Sequence, residues 1–410
     1  MNRVRSFTVT LLAALGFPPV RRIVARTADW MDDRSGHRKI VREGLLHAVP
    51  RRAGWAYALG SITLVLIANQ FVTGIVLTMI YVPSTTEGWQ ALNWLKYHDE
   101  YGQIVRGMHL YGCYVLLAVI GMHMLRTFLS GSYKRPREMN WITGSLLFVL
   151  VLGISITGAM LPWDQAAYWT TVVVTNLVSY TPIIGLYVRE IWRGGEFVGP
   201  ATLTRTFGLH VWVFSSLIAV TVAGHLYYLL RHGEFGSYVN YLRGYRAPGK
   251  PTRELEPPDL GERSIEPDYP AIPTDSIWAA PVETEEFYPY QTARDSIGSA
   301  VAMGVVFVLA IALGVPLDDA ATQQTVTYTP VPEWFYLPLD QLLVLVPQQL
   351  ISMTLWVPLF GTLLLFALPF IDRDPERIPY ERPHVMAIAG LIVLFVVVLT
   401  ALGAGRLFNL

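Results

Sequence analysis

The chain has 410 residues, of which 52% are hydrophobic and only 15% charged, and its formal net charge is zero. That balance excludes a soluble multidomain protein, offers no basic footprint for nucleic acid and points to a polytopic membrane protein. The single cysteine, Cys113, lies in an apolar run, so no internal disulfide or cysteine-ligated cluster is available and the thiol reads as a small buried group.

In chain order, "MNRVRSFTVTLLAALGFPPV" places two arginines before an apolar stretch, but no small-x-small cleavage site follows and "PPVRRIVAR" comes next. Residues 6 to 30 therefore read as a helix lying on the membrane surface, its arginines towards lipid headgroups. A span needs roughly 20 mainly apolar residues to cross about 30 Å of hydrocarbon. Seven segments meet this, at about 55 to 82, 106 to 126, 141 to 163, 206 to 230, 297 to 317, 341 to 369 and 385 to 405, and are termed spans A to G. Residues 167 to 188 also lack charge, but Asn176, Pro182, Gly185 and many hydroxyls make them short interfacial helices instead.

Charge supports this count, because cytoplasmic loops carry excess Lys and Arg. Residues 1 to 52 hold eleven basic residues, which places the N-terminus in the cytoplasm. Seven spans then put "SGSYKRPRE", the long segment 231 to 295 and "DRDPERIPYERP" on the same side, while the outer E–F loop has no basic residue. The expected organisation is all-α. A cytoplasmic segment (1–52) precedes a four-helix half (53–230), a Pro-rich and acidic linker (231–295) and a three-helix half (296–410).

Four of the nine histidines lie inside spans: His109 and His123 on B, His210 and His225 on D. Fourteen positions on a helix return to within about 40° with a rise of roughly 21 Å, and fifteen to within about 60° with roughly 22 Å. Spans B and D run in the same direction, so His109 pairs in depth with His210 and His123 with His225. Intramembrane polar groups are costly and functional by default. Opposed imidazoles are what a low-spin haem takes as axial ligands. A proton relay would want carboxylates, which B and D lack, and zinc would want its ligands clustered. Arg106 and Arg126 each lie three residues from a histidine towards a surface, where a haem propionate needs a cation. Gly60 with Gly74 on A, and Gly144 with Gly158 on C, repeat the fourteen-residue period and would let backbone approach a macrocycle.

These residues, with "RGMH", "HMLR", "GSYKRPREMNWITG", "GAMLPWDQAAYW", "ATLTRTFGLH", "FYPYQTARD" and "PEWF", make residues 40 to 405 resemble the cytochrome b/b6 family, the membrane core of quinol-oxidising cytochrome bc complexes. The resemblance implies two non-covalent haem b groups, with His109 and His210 on the low-potential haem and His123 and His225 on the high-potential one. It implies that Glu333 takes a proton from quinol in an outer pocket formed with Pro332, Trp334, Phe335, Tyr168, Thr170 and the segment 161 to 184. Asp295, with Arg231 or His232, would serve an inner quinone pocket. A protonmotive quinone cycle, a Rieske-type iron–sulfur partner, a cytochrome c type subunit, a homodimer, surrounding membrane lipid and a bacterial inner membrane follow from the same resemblance.

Seven spans match b6 joined to its subunit IV in one chain. The departures are specific. Phe335 stands where the family usually has Tyr, Thr170 where it often has Gly, and Leu230 where a His or Arg follows the last ligand. Ala58 stands near the position of the cysteine that tethers a third haem in the b6 branch, so no covalent haem is expected. Two other classes fit the sequence less well. A di-haem anchor of a hydrogenase or formate dehydrogenase leaves "PEWF" and the second half unexplained. A transporter would show broken helices and midplane charges, which spans A to D lack.

Overall fold

The computed structural model describes residues 18–36, 38, 48–50, 54–181, 183–232, 284–322, 328–374, 376–377 and 379–408. Among these, seven helices are long and apolar enough to cross a membrane: Trp55–Thr78, Glu100–Leu129, Glu138–Ala159, Pro200–Leu230, Phe287–Leu313, Gln348–Ile371 and Pro383–Arg406. They match the seven spans expected from hydropathy. The protein is an all-α, multi-pass membrane protein.

The elements run α1 (Pro18–Ser35), β1 (Ala48–Pro50), α2 (Leu59–Thr78), α3 (Gly88–His98), α4 (Glu100–Leu129), α5 (Glu138–Ala159), α6 (Gln165–Ser179), α7 (Gly185–Arg193), α8 (Pro200–Gly208) and α9 (Ser215–His232). After β2 (Thr284–Glu286) come α10 (Thr292–Leu313), α11 (Leu337–Leu345), α12 (Ile351–Thr354), α13 (Trp356–Ile371) and α14 (Pro383–Phe408). Two compact units divide the chain, Met1–Ala58 with Tyr241–Ile297, and Leu59–Asn240 with Gly298–Leu410. The first contains α1 and the antiparallel pair β1–β2, in which Ala48 faces Glu286. Helix α1 covers the later part of the surface helix expected over residues 6 to 30; the earlier part lies outside the described residues, as does most of the linker.

In the second unit α2 packs along α4, and α5 along α9. Asp99 starts α4 by accepting the Gly102 amide at 3.0 Å, which satisfies a free donor of the first turn. A π turn over Leu209–Phe214 joins α8 to α9 and carries His210. Its wider bonding takes up one residue more than a regular turn, so fifteen positions from His210 to His225 act much as the fourteen do on α4. Between the two histidine levels the bundle is closed by a packed apolar cluster that includes Leu66, Leu116, Leu117, Leu150, Val151 and Ile218.

Two expectations change. The A–B loop holds a further helix, α3, whose Leu92 and Leu95 are buried. Span F is not one helix over 341 to 369: α11 ends at Leu345, Val346 is extended (φ −91°, ψ 133°) and Pro347 follows. A residue before proline is pushed out of the helical region and proline lacks the amide that would continue the helix. As expected, the stretch at 167 to 188 forms short helices, α6 and α7, both too short to span, with Gly194 closing α7 at φ 73°.

Candidate functional site

The imidazoles meet as the spacing predicts. His109 and His210 lie with ring centroids 6.3 Å apart at 72°, and His225 is an electrostatic neighbour of His123. Each of the four glycines abuts an imidazole. A Cβ on Gly60 would lie 3.3 Å from His123 Cε1, on Gly74 3.3 Å from His109 Cε1, on Gly144 3.2 Å from His225 Cε1, and on Gly158 2.7 Å from His210 Cε1. The missing side chains let α2 and α5 close onto the rings and set their position.

Three threonines, each preceding one of these glycines, fix ring orientation. Thr73 Oγ1 lies 2.9 Å from His109 Nδ1, Thr143 Oγ1 3.0 Å from His225 Nδ1, and Thr157 Oγ1 3.2 Å from His210 Nδ1. Each hydroxyl also donates within its own helix, to Asn69 O, Met139 O and Ile154 O respectively. An oxygen whose proton is so used accepts from Nδ1–H. The other nitrogen, Nε2, is then left with a free lone pair, the tautomer an axial ligand needs. The His210 Nδ1 has a second acceptor, Ile154 O at 2.9 Å. Sequence reasoning passed over these threonines, although the dipeptide Thr-Gly before three of the four glycines carried the signal.

The residues also fit the acid groups of a haem. Arg106 is buried, its Nη2 donates to Pro316 O at 3.1 Å, and its Nη1 has no partner among the described residues. A buried guanidinium with a free donor is suited to an anion. On the inner side Arg126 and Arg137 are both charged neighbours of His123. Arg137, buried at the start of α5, did not emerge from the sequence. With the Asn140 amide in its hydrogen-bonding orientation, its oxygen accepts from Arg137 at 3.2 Å and its nitrogen donates to His225 O at 2.9 Å.

A cavity of about 1520 Å³ opens beside the outer histidine pair and continues to the E–F loop. His109, His210, Arg106, Thr170, Pro332, Glu333 and Phe335 line it, together with much of the segment 161 to 184. Tyr168 is instead buried against Trp163 and Trp169, and Trp334 is half exposed and off the lining. The Glu333 carboxylate accepts a hydrogen bond from Tyr114 on α4. Burial pushes its pKa above the ordinary value, and the Tyr114 bond partly opposes this. The hydroxyl absent at Phe335 occurs one residue on, where Tyr336 donates to Leu152 O at 2.5 Å.

The rim is built by long-range pairing. Asp164 caps α6 through Ala167 N at 2.9 Å and accepts Asp318 N at 3.1 Å, and Tyr111 donates to Gly314 O at 2.6 Å. Within the first compact unit, Asp295 accepts from Gln291 Nε2 at 2.8 Å. The side chains of Arg231 and His232 lie outside the described residues.

Residues 46–233 match the family described as cytochrome b/b6/petB, and residues 319–407 match cytochrome b (C-terminal)/b6/petD. A cytochrome b6 from Synechococcus sp. (strain JA-3-3Ab) is 34% identical over 213 residues, covering 52% of this chain and 99% of that protein. One from Prochlorococcus marinus (strain NATL1A) is 35% identical over 208 residues, covering 51% and 95%. A solved chain of a hyperthermophilic respiratory Complex III shares the fold with a TM-score of 0.73 at 24% identity, covering 92% of this chain and 91% of that one. The two family matches fall on the two halves in chain order, and the first contains all four intramembrane histidines: the chain belongs to the cytochrome b/b6 family, with its b6-like and subunit IV-like parts in one polypeptide.

Proposed function

We propose that this chain is the quinol-oxidising core of a cytochrome bc-type complex, holding two non-covalent haem b groups at the levels of His109 with His210 and of His123 with His225. The observation that carries the reading is the shared cavity: one pair of oriented imidazoles, a buried arginine with a free donor and a buried glutamate all line it. When bound, the haems supply a reversible one-electron couple at each level of the bilayer. Everything else falls to the chain. Thr73 and Thr157 hold the outer imidazoles in one tautomer, Arg106 receives an acid group, and the apolar cluster around Leu116 keeps water from the space between the levels.

Quinol binds in the outer cavity and Glu333 takes a proton from its hydroxyl. A general base works best with a pKa near the operating pH. Burial raises that of Glu333 in this sense, so oxidation is lost as the pH falls through the raised value. Asp295, with Arg231 or His232, serves quinone on the inner side, completing a protonmotive cycle. A Rieske-type iron–sulfur protein and a cytochrome c type subunit act as acceptors, and the complex is a homodimer in a bacterial inner membrane with its N-terminus in the cytoplasm.

A redox titration of the reduced-minus-oxidised spectrum, with haem quantified per polypeptide, tests the reading. The expected result is two non-covalent b haems at separate potentials, with one lost in His123→Leu. A single haem insensitive to that change refutes it.

A further inference from the structure

Glu333 precedes the short turn Trp334–Tyr336, and its carboxylate does not cap that turn. It reaches instead across to the other half of the chain and accepts the phenol proton of Tyr114. The Tyr114 ring is held from two sides. Tyr111 meets it edge-on at 5.8 Å and 88°, and Phe335 at 6.1 Å and 70°. Tyr111 is itself anchored, donating to Gly314 O at 2.6 Å. Both Tyr114 and Glu333 line the outer cavity.

Among the described residues Glu333 has no cationic partner. Its other charged or titratable neighbours are Tyr111, Cys113 and Tyr336, which all feel its charge. Asp340, also on the cavity wall, is already paired with Arg406. The chemistry of this choice is specific. A salt bridge would hold the carboxylate ionised and spend it as a base, whereas burial alone would leave it protonated. A neutral phenol donor stabilises the ionised form by one hydrogen bond and leaves its charge available to a proton.

We propose that Tyr114 is a positioning residue for quinol oxidation: its hydroxyl aims the Glu333 carboxylate into the outer cavity and keeps it ionised there until a quinol proton arrives. The inference rests on the quinol-oxidising reading given above. It assigns to α4, five positions past His109, a part in proton handling as well as in haem binding.

The test compares the intact complex with its Tyr114→Phe variant, using a short-chain quinol and following kcat/KM against pH. Loss of a hydrogen bond to a charged group moves the acid limb to higher pH by about one unit, with the plateau at higher pH retained. Tyr101→Phe, at an exposed tyrosine on the same helix away from the cavity, leaves the limb in place, and in a Glu333→Gln background Tyr114→Phe produces no further shift. An acid limb that stays put in Tyr114→Phe overturns the proposal, while leaving the functional reading intact. Absence of quinol oxidation in the unmodified complex refutes the functional reading instead. Infrared difference spectra of the unmodified protein then decide the Tyr114 contact, and do so equally if Tyr114→Phe does not fold. Protonating Glu333 must shift a tyrosine C–O band, and the shift must vanish in Glu333→Gln; no tyrosine response overturns the proposal.

Discussion

The outer and inner ends of the four-helix half repeat one design and are finished in different ways. At each level a histidine on α4 lies beside one from the span of α8 and α9, His210 on its π turn and His225 on α9, and a glycine on α2 or α5 abuts each ring. At the outer end the segment after α10 folds over the helices through single hydrogen bonds, such as Arg106 to Pro316 O and Tyr111 to Gly314 O, and leaves a large cavity. At the inner end the loop between α13 and α14 is locked by buried charge. Lys134 and Arg382 reach Asp372 at 2.8 and 3.0 Å, with side chains 6% or less exposed, and Tyr133 donates to the same carboxylate. Lys134 also donates to Asp374 O and Glu376 O, and Arg382 to Phe128 O and Leu129 O. The end with the cavity is held by few contacts. An end that joins the two halves is held by a connected network.

The largest expected effect breaks that network. Asp372→Ala leaves two buried cations without their carboxylate, a loss of about 3–5 kcal/mol, which a lowered midpoint of thermal unfolding of the purified protein checks. Acid has the same target. Burial alone would raise the Asp372 pKa, but the hydrogen bonds from Lys134 and Tyr133 outweigh it and hold the group below its ordinary value. A depressed pKa gives stability that is fully present above the unfolded-state value and is lost as pH falls through the folded-state one. Acidification below about pH 4 therefore destabilises the unmodified protein while leaving Asp372→Ala comparatively unaffected. Equal acid sensitivity in both would remove the network from the account.

How much of this was legible follows from where each signal lies. The histidines and glycines announce themselves because their period is written on single helices, and Glu333 because "PEWF" is contiguous. The glycine spacing shows that something approaches closely, but not that an imidazole abuts each glycine as well. Lys134, Arg377 and Arg382 read correctly as basic residues on one side of the membrane. Yet Lys134 and Arg382 are buried, and Arg377 donates to Gly131 O and Arg135 O. The partners of Lys134 and Arg377 lie more than two hundred residues away, and Arg382, ten positions from Asp372, also reaches Tyr133, Phe128 and Leu129 in that distant segment, so no local pattern could reveal the network. Tyr114 escaped for the same reason, its partner being 219 positions away. The break of span F at Pro347 was visible in the sequence and was outweighed by hydropathy.

A smaller effect separates the glycines. An added methyl on Gly158 would lie 2.7 Å from His210 Cε1, nearer than real Cβ contacts come, whereas those on Gly60, Gly74 and Gly144 would lie at 3.2 to 3.3 Å. Gly158→Ala must displace the ring, with overpacking strain of about 1–3 kcal/mol, and is expected to lower outer haem content. Gly60→Ala needs a shift of only tenths of an ångström and is expected to retain both haems. Haem content per polypeptide, resolved by potential, distinguishes them; identical losses would mean that the glycines serve helix packing in general.

The smallest effect concerns the threonines and divides the outer pair against itself. Removing an outer-shell partner of a metal ligand weakens the site by about 10 to 100-fold, but the loss depends on what remains for the ring to bond. In Thr73→Val the His109 Nδ1–H loses the acceptor at 2.9 Å and the ring is freed to turn. In Thr157→Val the His210 Nδ1–H keeps Ile154 O at 2.9 Å, so orientation and tautomer survive. Haem retention under graded competition from a haem-binding apoprotein should fall further in Thr73→Val than in Thr157→Val. The reverse order would show that the hydroxyls act through helix packing, because both also donate to carbonyls within their own helices.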